Sequence, residues 1–170
     1  MTNDQCAFVI RNLPFVIEMR FLQRYPHFLE VAYDAAHKVL GPLRRWLKPG
    51  TAVEPIFTKL EAVSKGAVFD CRMCGQCVLH STGMTCPMTC PKNLRNGPCG
   101  GVRPDGHCEI IPEMKCVWVE AWERSKHMPI HGQEILHVTP PLNRSLQGTS
   151  AWINDFTGVS TKAPAGWKDD

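Results

Sequence analysis

The sequence predicts a small α-rich domain joined to an irregular, cysteine-rich domain stabilised by metal, with α-helix and few β elements. Two observations carry this. Apolar residues recur at helical spacing before position 65, and eight of the nine cysteines fall in the 46 residues from Cys71 to Cys116. A third sets the size: 170 residues make one domain, or one with appendages.

Residues 1–65 read as a helical N-terminal region. The first 26 are mixed, with Phe8-Val9-Ile10 and Phe15-Val16-Ile17 separated by Pro14, and suggest a short helix or an irregular arm. Cys6 stands alone there and reads as a buried free thiol. A helix is expected over about 27–40, because Phe28, Val31, Ala32, Ala35, Val39 and Leu40 form one face of a 3.6-residue period. Pro42 opens a further turn carrying Leu43, Trp46 and Leu47. A second helix is expected over about 52–64, with Thr51 and Glu54 as a capping box, a stripe of Val53, Ile56, Phe57, Leu60 and Val63, and Gly66 as C-terminal cap.

Residues 66–125 form the cysteine-rich region. Gly, Pro and Cys interrupt it every few residues, and it buries too little apolar surface to fold unaided. Metal–thiolate bonds are expected to supply the missing stabilisation, about 10 kcal/mol per structural site. The turn Pro104-Asp105-Gly106 suggests a hairpin between Val102 and Ile110. A third helix is expected over about 113–124, with an apolar stripe of Val117, Trp118, Ala121 and Trp122. Residues 126–170 read as an irregular tail lying on a partner, with Trp152 and the Trp118/Trp122 pair as docking candidates.

The eight clustered thiols are the candidate metal ligands: Cys71, Cys74, Cys77, Cys86, Cys90, Cys99, Cys108 and Cys116. Eight is twice the four that one tetrahedral zinc or one cubane requires, so two centres are expected. Cys71-Arg-Met-Cys74-Gly-Gln-Cys77 presents three thiolates spaced to hold three corners of a [4Fe–4S] cluster. The fourth ligand stays open, because Cys86 and Cys90 are both followed by proline and neither has the usual spacing from Cys77. Two 4Fe–4S clusters are the leading assignment; one cluster plus Zn, or Zn only, are the alternatives. Disulfides are disfavoured by the x2/x2 spacing and by the absence of a visible secretory signal, which also points to a cytoplasmic location. His80 and His107 are read as loop or supporting residues rather than ligands.

No Ser/His/Asp set, phosphate loop or dinucleotide fingerprint is present, so no catalytic residue is assigned. A formal net charge of +3 without a basic run argues against nucleic acid, and no stretch is apolar enough to span a membrane.

Four segments together resemble a known family. They are Cys71-Arg-Met-Cys74-Gly-Gln-Cys77, Cys86-Pro-Met-Thr-Cys90-Pro, Leu94-Arg-Asn-Gly-Pro-Cys99-Gly-Gly and Cys116-Val-Trp-Val-Glu-Ala-Trp-Glu. They are similar to the C-terminal, small-subunit family of methylenetetrahydrofolate reductase, most strongly over residues 66–125. The resemblance implies a metal-binding subunit that passes electrons to a separate flavin-containing TIM-barrel reductase in one-carbon metabolism. The alternative it admits is a zinc-stabilised structural or assembly subunit of the same complex. Flavin and folate would then belong to the partner, and this chain would be non-catalytic alone.

Overall fold

The computed structural model describes residues 21–164, 166 and 167. The expectations for residues 1–20, Cys6 included, lie outside them. Four α-helices are present among the described residues: α1 (Pro26–Leu40), α2 (Glu54–Phe69), α3 (Val117–Ser125) and α4 (Ala151–Phe156). Short 3-10 turns punctuate the connections, and no strand forms among these residues. None of the described helices is long and apolar enough to cross a membrane.

Helix α1 begins at Pro26, whose fixed φ and missing N–H suit a first turn. Its inward face differs from the apolar stripe. Pro26, Leu29 and Glu30 are buried, whereas Phe28, Val31 and Val39 are exposed. The reason is polar pairing. Glu30 is fully buried, and its Oε1 accepts the backbone N–H groups of Ile130 and His131 at 3.1 and 2.6 Å. His131 Nε2 lies 3.1 Å from Asp34. These bonds rotate the helix so that its apolar stripe faces outward.

Helix α2 behaves in the same way. Glu61 and Lys65 are its buried residues, while Ile56, Leu60 and Val63 are 70%, 65% and 69% exposed. Thr51 does not cap it: its hydroxyl donates to Lys48 O at 2.7 Å, and Glu54 Oε2 accepts the Gly50 N–H at 2.6 Å. Nor does Gly66 end it. The helix continues to Phe69 and stops where Asp70 turns left-handed, at φ 52°.

The expected hairpin reduces to a turn and one antiparallel bridge, His107 with Lys115. That bridge delays α3, since Cys108 N–H donates to Met114 O and Cys116 N–H to Gly106 O, both at 2.9 Å. Residues 113–116 are therefore committed to the loop, and the helix opens at Val117. Within α3, Val117, Trp118 and Ala121 are buried, so Trp118 is a core residue, and of the docking pair Trp122 alone, at 47% exposed, is open to a partner.

The tail is the largest departure. Ser150 caps α4, its hydroxyl accepting the Ile153 N–H at 3.2 Å, and Ala151, Trp152, Ile153 and Asn154 are all buried. Trp152 stacks on Tyr33 with ring centroids 4.9 Å apart, and Lys65 Nζ lies 4.7 Å from its ring centre. It is a core residue of this chain, so the docking role expected for it is withdrawn.

Candidate metal centres

The eight thiols divide between two cavities. Cys71, Cys74, Cys77 and Cys86 line the first. Cys90, Cys99, Cys108 and Cys116 line the second. All eight are free thiols. The structure thus brings together every cysteine of the 71–116 cluster and pairs Cys86, rather than Cys90, with the x2/x2 triple.

Local backbone geometry explains the first cavity. Asp70 and Met73 both have positive φ, 52° and 47°, and Gly75 has φ 75°. Three left-handed residues within six positions coil the chain, so that its three cysteines line one cavity. The Met73 N–H donates to Cys71 Sγ at 3.4 Å, the type of contact that stabilises a thiolate sulfur. The C-terminal segment clamps this loop. Gly148 N–H donates to Met73 O at 2.8 Å, and Asn154 Nδ2 to Gly75 O at 2.8 Å. Gln76, wholly buried, donates through Nε2 to Ser160 O at 2.8 Å and accepts the Asn143 N–H at 2.6 Å.

Gly75 has no substitute here. A Cβ would sit inside contact distance of the Leu146 carbonyl and the Thr149 hydroxyl, on a backbone that L-residues resist. Gly75→Ala should cost about 2–4 kcal/mol. In urea titration this lowers the midpoint by about 1 M or more, with the slope unchanged. A midpoint equal to that of the parent would show that the loop is not clamped.

The second cavity is assembled from separate points along residues 90–116. The 107–115 bridge holds Cys108 and Cys116 on one paired segment, opposite Met114 and Gly106, and Cys90 follows the 3-10 turn Pro87–Thr89. Cys99 receives the backbone N–H of Gly101 and lies near Lys92, which lower its thiol pKa from the usual value. Lys92 is itself paired with Glu109, and the Cys99 thiol lies 3.8 Å from Glu109 Oε1. His80 and His107 line neither cavity. His80 instead faces Glu134 at 3.3 Å and stacks on Tyr33, and His107 contacts Asp105.

The cavities differ in burial. In the first, Cys74 and Cys86 are buried, and burial pushes the Cys71 and Cys86 thiols up to about 12, with neighbouring thiols adding to the shift. Four thiolates will not share that space unless a cation shares it with them. A bound metal reverses this balance, since its charge deprotonates coordinating thiols. An all-sulfur donor set suits iron–sulfur clusters or zinc. Among the described residues, no three His, Cys, Asp or Glu side chains converge as a single metal ion would require.

Several residues around the first cavity carry no motif and escaped the sequence reading: Tyr33, Lys65, Arg95 and Gln76. A polar side chain drawn into the interior is their common mark, and spacing alone does not reveal it. Lys65 and Glu61 form a buried ion pair at 2.7 Å, and Glu61 Oε2 also accepts the Ser150 hydroxyl. Burial, and then the adjacent Cys77, raises the Tyr33 pKa above the usual phenolic value.

Fold and cavities together define a helical, cysteine-rich protein with two four-thiol cavities. The family described as "Methylene-tetrahydrofolate reductase C terminal" matches residues 51–145, more than half of the 170, and the chain belongs to that family. The matched span runs from the start of α2 through all eight clustered cysteines and α3. No curated protein and no solved structure matches the chain.

Proposed function

We propose that this chain is the electron-relay subunit of a methylenetetrahydrofolate reductase, and that its two cavities each hold a 4Fe–4S cluster. The observation that carries this reading is the division of eight thiols between two cavities, four lining each. The first group includes the Cys-x2-Cys-x2-Cys triple, the pattern that holds three corners of a cubane.

Cys71, Cys74, Cys77 and Cys86 would hold one cluster, and Cys90, Cys99, Cys108 and Cys116 the other. When bound, these clusters supply one-electron uptake and release. The chain's own part is to exclude water, direct backbone N–H groups at sulfur and fix the ligand loop against α4. The family supports a flavin-containing reductase barrel as partner. The outward stripes of α1 and α2 offer a surface for it. Val31, Val39, Ile56, Leu60 and Val63 are all more than half exposed, an apolar area of the kind that marks an interface.

The reading is tested by reconstituting the complex anaerobically and supplying a low-potential donor. The partner's flavin should be reduced much faster with this subunit than without it. Ile56→Asp combined with Leu60→Asp should abolish both the acceleration and co-purification while leaving metal content unchanged. Equal flavin reduction with and without the subunit would leave only a structural role, and zinc in place of iron would identify its basis.

A further inference from the structure

Arg95 is 8% exposed and lines the first thiol cavity, where it borders the groove beside α3. It is held there because Nη1 donates to Gln76 O, at 2.8 Å, within the ligand loop itself. The Cys74 thiol donates to the same carbonyl at 3.5 Å. Arg95 Nε has no hydrogen-bond partner, and no carboxylate pairs with Arg95 among the described residues. A buried guanidinium without a counter-charge is strongly disfavoured by the loss of its hydration, so such a group ordinarily faces an anion.

The groups that feel its charge are Cys74, Cys77 and Cys86. As neutral thiols they offer it a weak acceptor at Cys74 and no counter-charge. As four thiolates around a metal centre they carry net negative charge, which supplies the missing counter-ion. The other cations near the thiols are compensated already: Lys65 by Glu61 in the first cavity, and Lys92 by Glu109 in the second. Arg95 is therefore a fixed, uncompensated positive charge placed at one centre and not the other.

Resting on the iron–sulfur reading above, we infer that Arg95 is the counter-ion of the Cys71/Cys74/Cys77/Cys86 centre and raises its reduction potential relative to the same centre without the charge. Reduction adds one electron, taken from the donor, and hence one unit of negative charge. An adjacent guanidinium in a poorly solvated site favours that more negative state. Arg95 does not ligate the metal and is a positioning and tuning residue.

The test uses the full chain, purified anaerobically, as parent, Arg95→Met and Arg95→Lys. Iron and acid-labile sulfide are counted first, and both centres are then titrated with dithionite under electron paramagnetic resonance. Full iron in all three proteins is expected. In Arg95→Met one midpoint potential should move to a more negative value while the other stays in place, and Arg95→Lys should restore most of the shift. Loss of one centre in Arg95→Met that Arg95→Lys repairs would also support the inference, since it would show that the charge is needed for loading. Loss in both variants would overturn a charge role. Full iron with unchanged midpoints in Arg95→Met would overturn this inference alone. A parent chain that holds no iron would overturn the functional reading and this inference with it.

Discussion

Cys86→Ala and Cys108→Ala should each remove about half of the bound metal, and the two together should remove all of it. The two cysteines sit in different cavities, so their losses add. Cys74→Ala combined with Cys86→Ala should behave differently. Both line the first cavity, so the double variant should lose no more metal than either single one. Additivity across cavities and its failure within one make a test of the partition that does not depend on which metal is bound. Iron and zinc are measured together by elemental analysis. Complete loss of metal from Cys74→Ala/Cys86→Ala, or only half from Cys86→Ala/Cys108→Ala, would show that the thiols divide some other way.

The second large effect is expected at Lys65. Its side chain is 8% exposed and that of Glu61 2%, with 2.7 Å between their charged atoms. Lys65→Met leaves the Glu61 carboxylate buried with the Ser150 hydroxyl as its remaining donor and removes the cation from the face of Trp152. Breaking a buried pair from one side costs about 3–5 kcal/mol. For a chain of this length that corresponds to a fall in melting temperature of about 10 °C. Replacing both partners, as Lys65→Met with Glu61→Leu, should recover much of the loss, because neither charge is then stranded. A single variant as stable as the parent would mean that water reaches Glu61 and that α2 and α4 are joined by apolar contact alone.

These two predictions concern residues of very different legibility. The cysteines were visible at once: eight thiols in 46 residues have few uses, and the number eight itself pointed to two groups of four. Their partition was only half visible. Cys71, Cys74 and Cys77 belong together because a seven-residue segment keeps them close. Cys86 and Cys90 are four residues apart, and both are followed by proline, so spacing did not choose between them. The choice is made by the 3-10 turn Pro87–Thr89, which separates them and places each in a different cavity. Lys65 and Arg95 carried no signal, because a lysine or arginine in a sequence looks the same whether solvated or buried.

The helices show the same division. Periodicity placed α1, α2 and α3 near their observed positions, since the i, i+3, i+4 pattern is a local property of the chain. It did not say which face would be covered. On α1 and α2 the apolar stripe is outside and Glu30, Glu61 and Lys65 are inside, because buried hydrogen bonds and ion pairs outweighed the stripe in setting the rotation. Helix α4 was missed because its six residues are too few to show a period, although Ser150 is a recognisable cap.

By itself, then, the sequence determined the family, the helical class and the identity of the eight candidate ligands, all of which rest on residue type and short spacing. Tertiary structure alone decided the fourth thiol of the first cavity, the burial of Trp152 and the placement of Arg95 beside sulfur. Each of those depends on which distant segments meet, and so on the burial and pairing of groups far apart in the chain, which no local pattern records.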